Sequence, residues 1–198
     1  MRLTRNTRIL IYGANIWYFG EGMLGPLLAV FTGRIGGDVL DVTGAWALYL
    51  IIMGLCYIYF GKLADSHYNK ERMMILGYGL NALFTFGYLL ISKPWHLFLI
   101  QSGLGMASAL ATPTWFALFA KSGKKDTGGF RWGLAGGITQ IVTGIAIVMG
   151  GLIVNYFSFT VLFMIMGIIQ VLATIYQAQI LRKKSPVSRG SILRTLFP

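Results

Sequence analysis

The chain has 198 residues, of which 56% are hydrophobic and 12% charged, and its mean hydropathy is +0.66. An average soluble domain carries ~25% charged residues, so this composition, with apolar runs of about 20 residues, excludes a soluble enzyme, a disordered chain and a nucleic-acid-binding domain. The net charge of +11 is then read as loop charge beside a membrane.

Six apolar segments follow one another, at roughly 9–31, 44–64, 73–92, 95–120, 130–154 and 158–181. Each is long enough, at ~1.5 Å per residue, to cross ~30 Å of hydrocarbon as a helix. None alternates apolar and polar residues as a membrane β-barrel strand does. The expected fold is therefore an all-α membrane protein with six transmembrane helices. The first segment is too long for a signal-peptide core and lacks a clear small-x-small cleavage site, so it is expected to stay in the mature chain. Cys56 sits alone in an apolar run, and His67 and His96 stand far apart, so neither a disulfide nor a metal site is expected. No Walker loop, dinucleotide fingerprint, nucleophile elbow or zinc signature is present, and no cofactor or enzymatic activity is expected.

Charge sets the direction of the spans. Arg2, Arg5 and Arg8 precede the first span, and Lys62, Lys70 and Arg72 lie in the second loop. Lys121, Lys124, Lys125 and Arg131 lie around the fourth loop, and Arg182, Lys183, Lys184, Arg189 and Arg194 in the tail. Of the 17 basic residues, only Arg34 and Lys93 fall on the other side. Cytoplasmic loops collect Lys and Arg, so both termini are expected in the cytoplasm and the protein in the cell (inner) membrane. Trp46, Trp95 and Trp132 fall at predicted span ends, as an aromatic belt requires.

Gly20-Glu21-Gly22-Met23 in span 1 and Gly103-Leu104-Gly105-Met106 in span 4 lie at an offset that also carries span 2 onto span 5 and span 3 onto span 6. Three spans reverse direction, so this reads as a 3+3 inverted repeat, a construction of secondary transporters. Repeat 1 covers about 9–92 and repeat 2 about 95–181, within a transmembrane domain over 1–185. Residues 186–198 form a basic cytoplasmic tail, either a short interfacial helix or a plain solvated segment.

The loop after span 2 reads Gly61-Lys62-Leu63-Ala64-Asp65-Ser66-His67-Tyr68-Asn69-Lys70-Glu71-Arg72. It resembles the loop motif between spans 2 and 3 of the Major Facilitator Superfamily (MFS), with Gly61, Leu63, Ala64, Asp65 and Lys70 matching. Ser66, Tyr68 and Asn69 depart from it, and Arg72 can supply the displaced charge. Gly25-Pro26, Pro113 and Arg131-Trp132-Gly133 look similar to the family as well, over residues ~5–185 in all. The resemblance implies that Gly61, Asp65, Lys70 and Arg72 form a cytoplasmic gating motif, in which the aspartate helps latch two halves together. The reading from charge alone is a solvated loop with a local salt bridge.

The family normally has twelve spans, and this chain resembles the amino-terminal half. A lone half would expose polar cavity residues to lipid. The expectation is a homodimer of half-size chains, a complex with a separate second six-helix half, or a truncated chain.

Glu21 is the one acidic residue deep inside a span, where a charge costs about 2.5–3.5 kcal/mol on insertion scales. Protonation relieves that cost, so Glu21 can carry a proton or meet a cationic solute. The alternative is a protonated side chain bonded to a neighbouring helix. Trp17 and Tyr18 share its face of the helix. Gln101, Thr112 and Trp115 of span 4, with Gln140 and Thr143 of span 5, complete an expected pathway for solute or proton. Each of these, taken singly, also fits packing or interhelical hydrogen bonding. Asn15 and Asn81 are weaker candidates. Leu99 stands where many family members carry a span-4 arginine, and span 5 lacks the proline of the antiporter motif. The expected function is secondary transport of a small-molecule solute by alternating access, coupled to protons through Glu21. The alternatives are a non-transporting subunit or scaffold, or one half of a split transporter. Membrane lipid is the expected surround, with no nucleic-acid partner.

Overall fold

The structure of the protein, a computed structural model, describes residues 4–65, 69–122 and 128–181. Among these residues there are seven α-helices: α1 (Arg5–Gly22), α2 (Leu27–Arg34), α3 (Val39–Asp65), α4 (Lys70–Gly87), α5 (Pro94–Lys121), α6 (Gly128–Tyr156) and α7 (Phe159–Ala178). Single 3-10 turns continue α4 over Tyr88–Leu90 and α7 over Gln179–Leu181. The expected tail over 186–198, and Ser66, His67 and Tyr68 of the motif loop, lie outside the described residues.

Helices α3 to α7 are each long and apolar enough to cross a membrane. Without water in the bilayer core, the helix is the form that satisfies their backbone internally. Local chemistry sets their ends. Asn69 accepts a hydrogen bond from the Arg72 amide at 3.1 Å and caps α4. Ser158 does the same for α7 through the Val161 amide at 3.2 Å. Pro94 opens α5, where its missing N–H costs nothing. Asp38 accepts from the Leu40 and Asp41 amides at 2.8 and 3.0 Å just before α3.

The first expected span differs from the other five. It is two helices, α1 and α2, separated by a turn over 23–26. Pro26 has no N–H to give the Gly22 carbonyl, so the ladder stops there. The chain tightens instead, with the Leu24 amide bonding Glu21 O at 3.3 Å and the Leu28 amide bonding Gly25 O at 3.2 Å. Arg5, Arg8 and Glu21 also make α1 too charged to count as a membrane span by composition alone.

Helix α5 packs between α3 and α4, α7 between α4 and α1, and α1 between α7 and α6. Helices α3 and α6 therefore flank the molecule. Along α3 only Ala45 and Ala64 are buried, and along α6 only Arg131, Ala135, Ala146 and Gly150. The main core joins α2, α7 and the turn after α4. Phe31 meets Phe163 edge-on at 4.8 Å, and Tyr88 stacks on Phe163 at 5.0 Å. At the other end, the Thr7 hydroxyl bonds Ser122 Oγ at 3.0 Å, tying the start of α1 to the end of α5. Arg131, 4% exposed, donates from Nη2 to the Phe119 carbonyl at 2.6 Å and lies over the Phe119 ring. That places a cation at the carboxyl end of α5, where the helix dipole favours one.

Candidate functional site: two cavities that share Glu21

Among the described residues, a pair of neighbouring cavities lies between the helices. The larger, about 310 Å³, is lined by α1, α3, α4, α5 and α6. Three of these helices contribute residues three and four apart: Ala14, Trp17, Tyr18 and Glu21 on α1; Ser108, Ala111, Thr112, Trp115 and Phe116 on α5; Trp132, Ala135, Gly136, Thr139 and Gln140 on α6. That spacing is one helical face each time. Tyr49 and Met53 of α3 and Tyr78 of α4 close the remaining sides. Towards the α5–α6 loop the rim is aromatic: Trp132 stands 6.2 Å from Trp115 and 5.8 Å from Phe116, centroid to centroid.

The smaller cavity, about 110 Å³, lies on the other side of Glu21. Its wall includes Leu24 and Gly25 in the helix break and Leu28 beyond it, Trp46 and Tyr49 of α3, and Asn81, Thr85 and Tyr88 at the far end of α4. Gln101 and Leu104 of α5 and Met166 of α7 complete it. Glu21 and Tyr49 are the residues common to both walls, and Glu21 is the one side chain of either lining that carries a charge when ionised near neutral pH.

Several of these side chains are held in place. The Trp17 indole N–H donates to Glu21 Oε2 at 2.8 Å, and Trp17 meets Tyr78 edge-on at 4.1 Å. Gln170 of α7 donates to the Trp17 carbonyl at 3.1 Å. The Tyr49 hydroxyl lies 3.2 Å from Ser108 Oγ, which bridges α3 and α5. The Trp115 indole N–H donates to the Leu10 carbonyl at 3.1 Å, joining α5 to α1. The Thr112 hydroxyl is turned onto its own helix, bonding Ser108 O at 2.7 Å.

Of the expected pathway residues, Trp17, Tyr18, Glu21, Thr112, Trp115 and Gln140 meet around the larger cavity. Gln101 lines the smaller one and donates to the Tyr88 hydroxyl at 3.2 Å. Thr143 lines neither; it lies against Gly22, where a Cβ would stand 3.1 Å from its methyl group. Tyr49, Met53, Tyr78, Ser108, Phe116 and Thr139 join the larger cavity without having been expected there, and so does Trp132, expected only in the aromatic belt. Their signal was present as spacing: Trp46, Tyr49 and Met53 recur three and four residues apart, as does the face of α6.

The motif loop is arranged locally. Asp65 reaches Lys70 Nζ at 3.4 Å, and its side chain is 84% exposed. Arg72 is exposed, and its amide bonds Asn69. A Cβ at Gly61 would meet nothing within 4 Å. The salt bridge expected from charge alone is present, and Ala64 beside it is buried against Met73 and Leu110.

Comparison with known proteins places this architecture. The chain is 28% identical over 172 residues to a protein of Lactococcus lactis subsp. lactis described as "Multi-drug resistance efflux pump PmrA homolog"; the match covers 85% of this chain. The chain spans 42% of the length of that curated relative. The family profile of the Major Facilitator Superfamily matches residues 10–195. The chain belongs to the Major Facilitator Superfamily, and it is an integral, multi-pass membrane protein.

Proposed function

We propose that the chain transports a small, aromatic or amphipathic solute across the membrane by alternating access, with Glu21 exchanging a proton for the solute. The observation that carries this reading is Glu21 itself, a carboxyl on the shared wall of two cavities that otherwise hold no charge. A lipophilic cation suits the larger cavity, because Trp17, Trp115 and Trp132 offer aromatic faces and Glu21 a counter-charge. The multidrug efflux relative supports the same solute class.

Alternating access needs two arrangements of similar energy, and an inverted repeat provides them. In this reading α1 with α2 is the first of the six spans. Support comes from the glycines of the repeated motif. A Cβ on Gly20 would meet Gln170 and Ile169 of α7, and one on Gly22 would meet α6. A Cβ on Gly103 would meet Phe84 of α4, and one on Gly105 would come within 2.6 Å of the Tyr49 carbonyl on α3. Each motif thus touches the third and then the second span of the other repeat. The positive-inside bias supports cytoplasmic termini.

Completing the pathway requires a facing wall, and we assign that wall to a second copy of the chain. A separate second half, or a non-transporting role beside another membrane protein, is the competing reading. The exposed apolar faces of α3 and α6 favour a neighbour of some kind.

The test uses proteoliposomes holding the wild-type chain or Glu21→Gln, with ethidium as the solute and an imposed pH gradient. The expected result is gradient-driven ethidium movement by the wild type that Glu21→Gln abolishes. Equal gradient-driven movement by both would overturn the role of Glu21. Movement by neither would overturn the self-sufficient dimer in favour of a missing partner.

A further inference from the structure

We propose that the smaller cavity is a water chamber that delivers protons to Glu21 from the side opposite the solute cavity. The inference rests on the reading of Glu21 as the proton-carrying group and adds the route. Solute and proton would then reach one carboxyl from different directions.

Three observations carry it. The first is position. The smaller cavity takes its wall from Leu24 and Leu28, the start of α3 at Trp46, the end of α4 at Tyr88 and the start of α5 at Gln101. These flank the loops near Arg34 and Lys93, whereas Trp115 and Trp132 put the larger cavity towards the α5–α6 loop. The second is chemistry. Asn81 is 1% exposed, and its Nδ2 has no hydrogen-bond partner among the described residues. A buried amide donor left unpaired is costly, and an ordered water is the usual remedy. The Tyr88 and Tyr49 hydroxyls, the Trp46 indole, Gln101, Thr85 and Glu21 are further polar groups of the same wall. The third is size. At ~30 Å³ per water, a cavity of about 110 Å³ holds a chain of about three or four.

The transfer balances without a co-reactant. A proton arriving at the outer water forms one O–H bond, and that water releases another proton to the next. The last water gives its proton to a Glu21 carboxylate oxygen, and the chain reorients. The titratable side chains that share the cavity walls with Glu21 are tyrosines: Tyr18 on α1, Tyr49 on α3, and Tyr78 and Tyr88 on α4 and its final turn. From α5, α6 and α7 the walls offer only uncharged side chains.

The test is radiolytic hydroxyl labelling of the full chain in lipid nanodiscs, read by mass spectrometry, with two buried methionines compared. Met166 is 3% exposed but lines the chamber; Met74 is 0% exposed and lines neither cavity. Bound water beside Met166 predicts oxidation at least about tenfold faster than at Met74, an order-of-magnitude margin for a wet against a dry site. Equal, slow labelling of the two would overturn the chamber, and this comparison needs no variant. Infrared spectroscopy then follows the Glu21 carboxyl, identified as the band lost in Glu21→Gln. Asn81→Leu, with Gln101→Leu as a second variant, should slow hydrogen–deuterium exchange of that band severalfold. A band that titrates but exchanges equally fast in all three proteins would overturn the proton route alone. A band unaffected by pH would instead overturn the reading of Glu21 on which the route depends.

Discussion

Trp17 shows how much one side chain does at this site. Its ring fills the space against Tyr78, and its N–H occupies Glu21 Oε2. Trp17→Phe keeps most of the ring and removes the donor. Removing one hydrogen bond from this half-buried carboxyl costs ~0.5–1.5 kcal/mol, so the variant should unfold at a lower temperature in detergent. An unchanged midpoint would mean that the bond contributes nothing. A second contrast lies on α6. A Cβ at Gly150 would run into the Met23 carbonyl, whereas at Gly151 it would meet nothing within 4 Å. Gly150→Ala should therefore destabilise by ~1–3 kcal/mol, as overpacking does, and Gly151→Ala by less than about 0.5 kcal/mol. Parallel thermal denaturation of the two variants checks the difference. Residues on the face of Glu21 were legible because helical spacing fixes which side chains share a face. Tyr49 and Ser108 were not, because which face of α3 meets which face of α5 is decided by close approach at Gly105 rather than by hydropathy.

At the scale of elements, five of the six expected spans became single helices within a few residues of their predicted ends. Long apolar runs in a bilayer have little alternative. The first expected span is broken into two helices: hydropathy runs smoothly through Gly25-Pro26, while hydrogen bonding does not. The break falls directly after Glu21, so the carboxyl sits where the helix is already interrupted and where the two cavities meet. Pro26→Ala restores the missing N–H and should let the Gly22 carbonyl find its helical partner. Amide exchange over 23–27 should then slow, by an estimated factor of about ten for a restored buried bond. Exchange as fast as in the wild type would show that packing, not proline, holds the break. The repeated glycine pairs were legible as a motif, and their meaning as contact points between repeats came only from the packing.

At the scale of the molecule, the outer helices are mostly uncovered. Leu50, Ile51, Leu55 and Ile58 on α3, with Ile141, Ile145, Val148 and Leu152 on α6, all point away from the core. Lipid can cover such faces, and so can a second copy. Native mass spectrometry from nanodiscs should find two chains per complex; a single chain in conditions that preserve other membrane dimers would contradict the dimer. The sequence could reveal the membrane class, the span spacing and the likeness to one half of the family, because composition and loop charge carry them. It could not reveal the two cavities, which arise only when α1, α3, α4 and α5 assemble around Glu21, with α6 closing the larger and α7 the smaller.

The most direct measurement of the central claim is proton release on solute binding. Calorimetric titration of ethidium in two buffers of different ionisation enthalpy gives the number of protons displaced. About one proton per bound solute is expected from the wild type, by the linkage between a titrating group and its ligand, and none from Glu21→Gln. The same release from both proteins would contradict it.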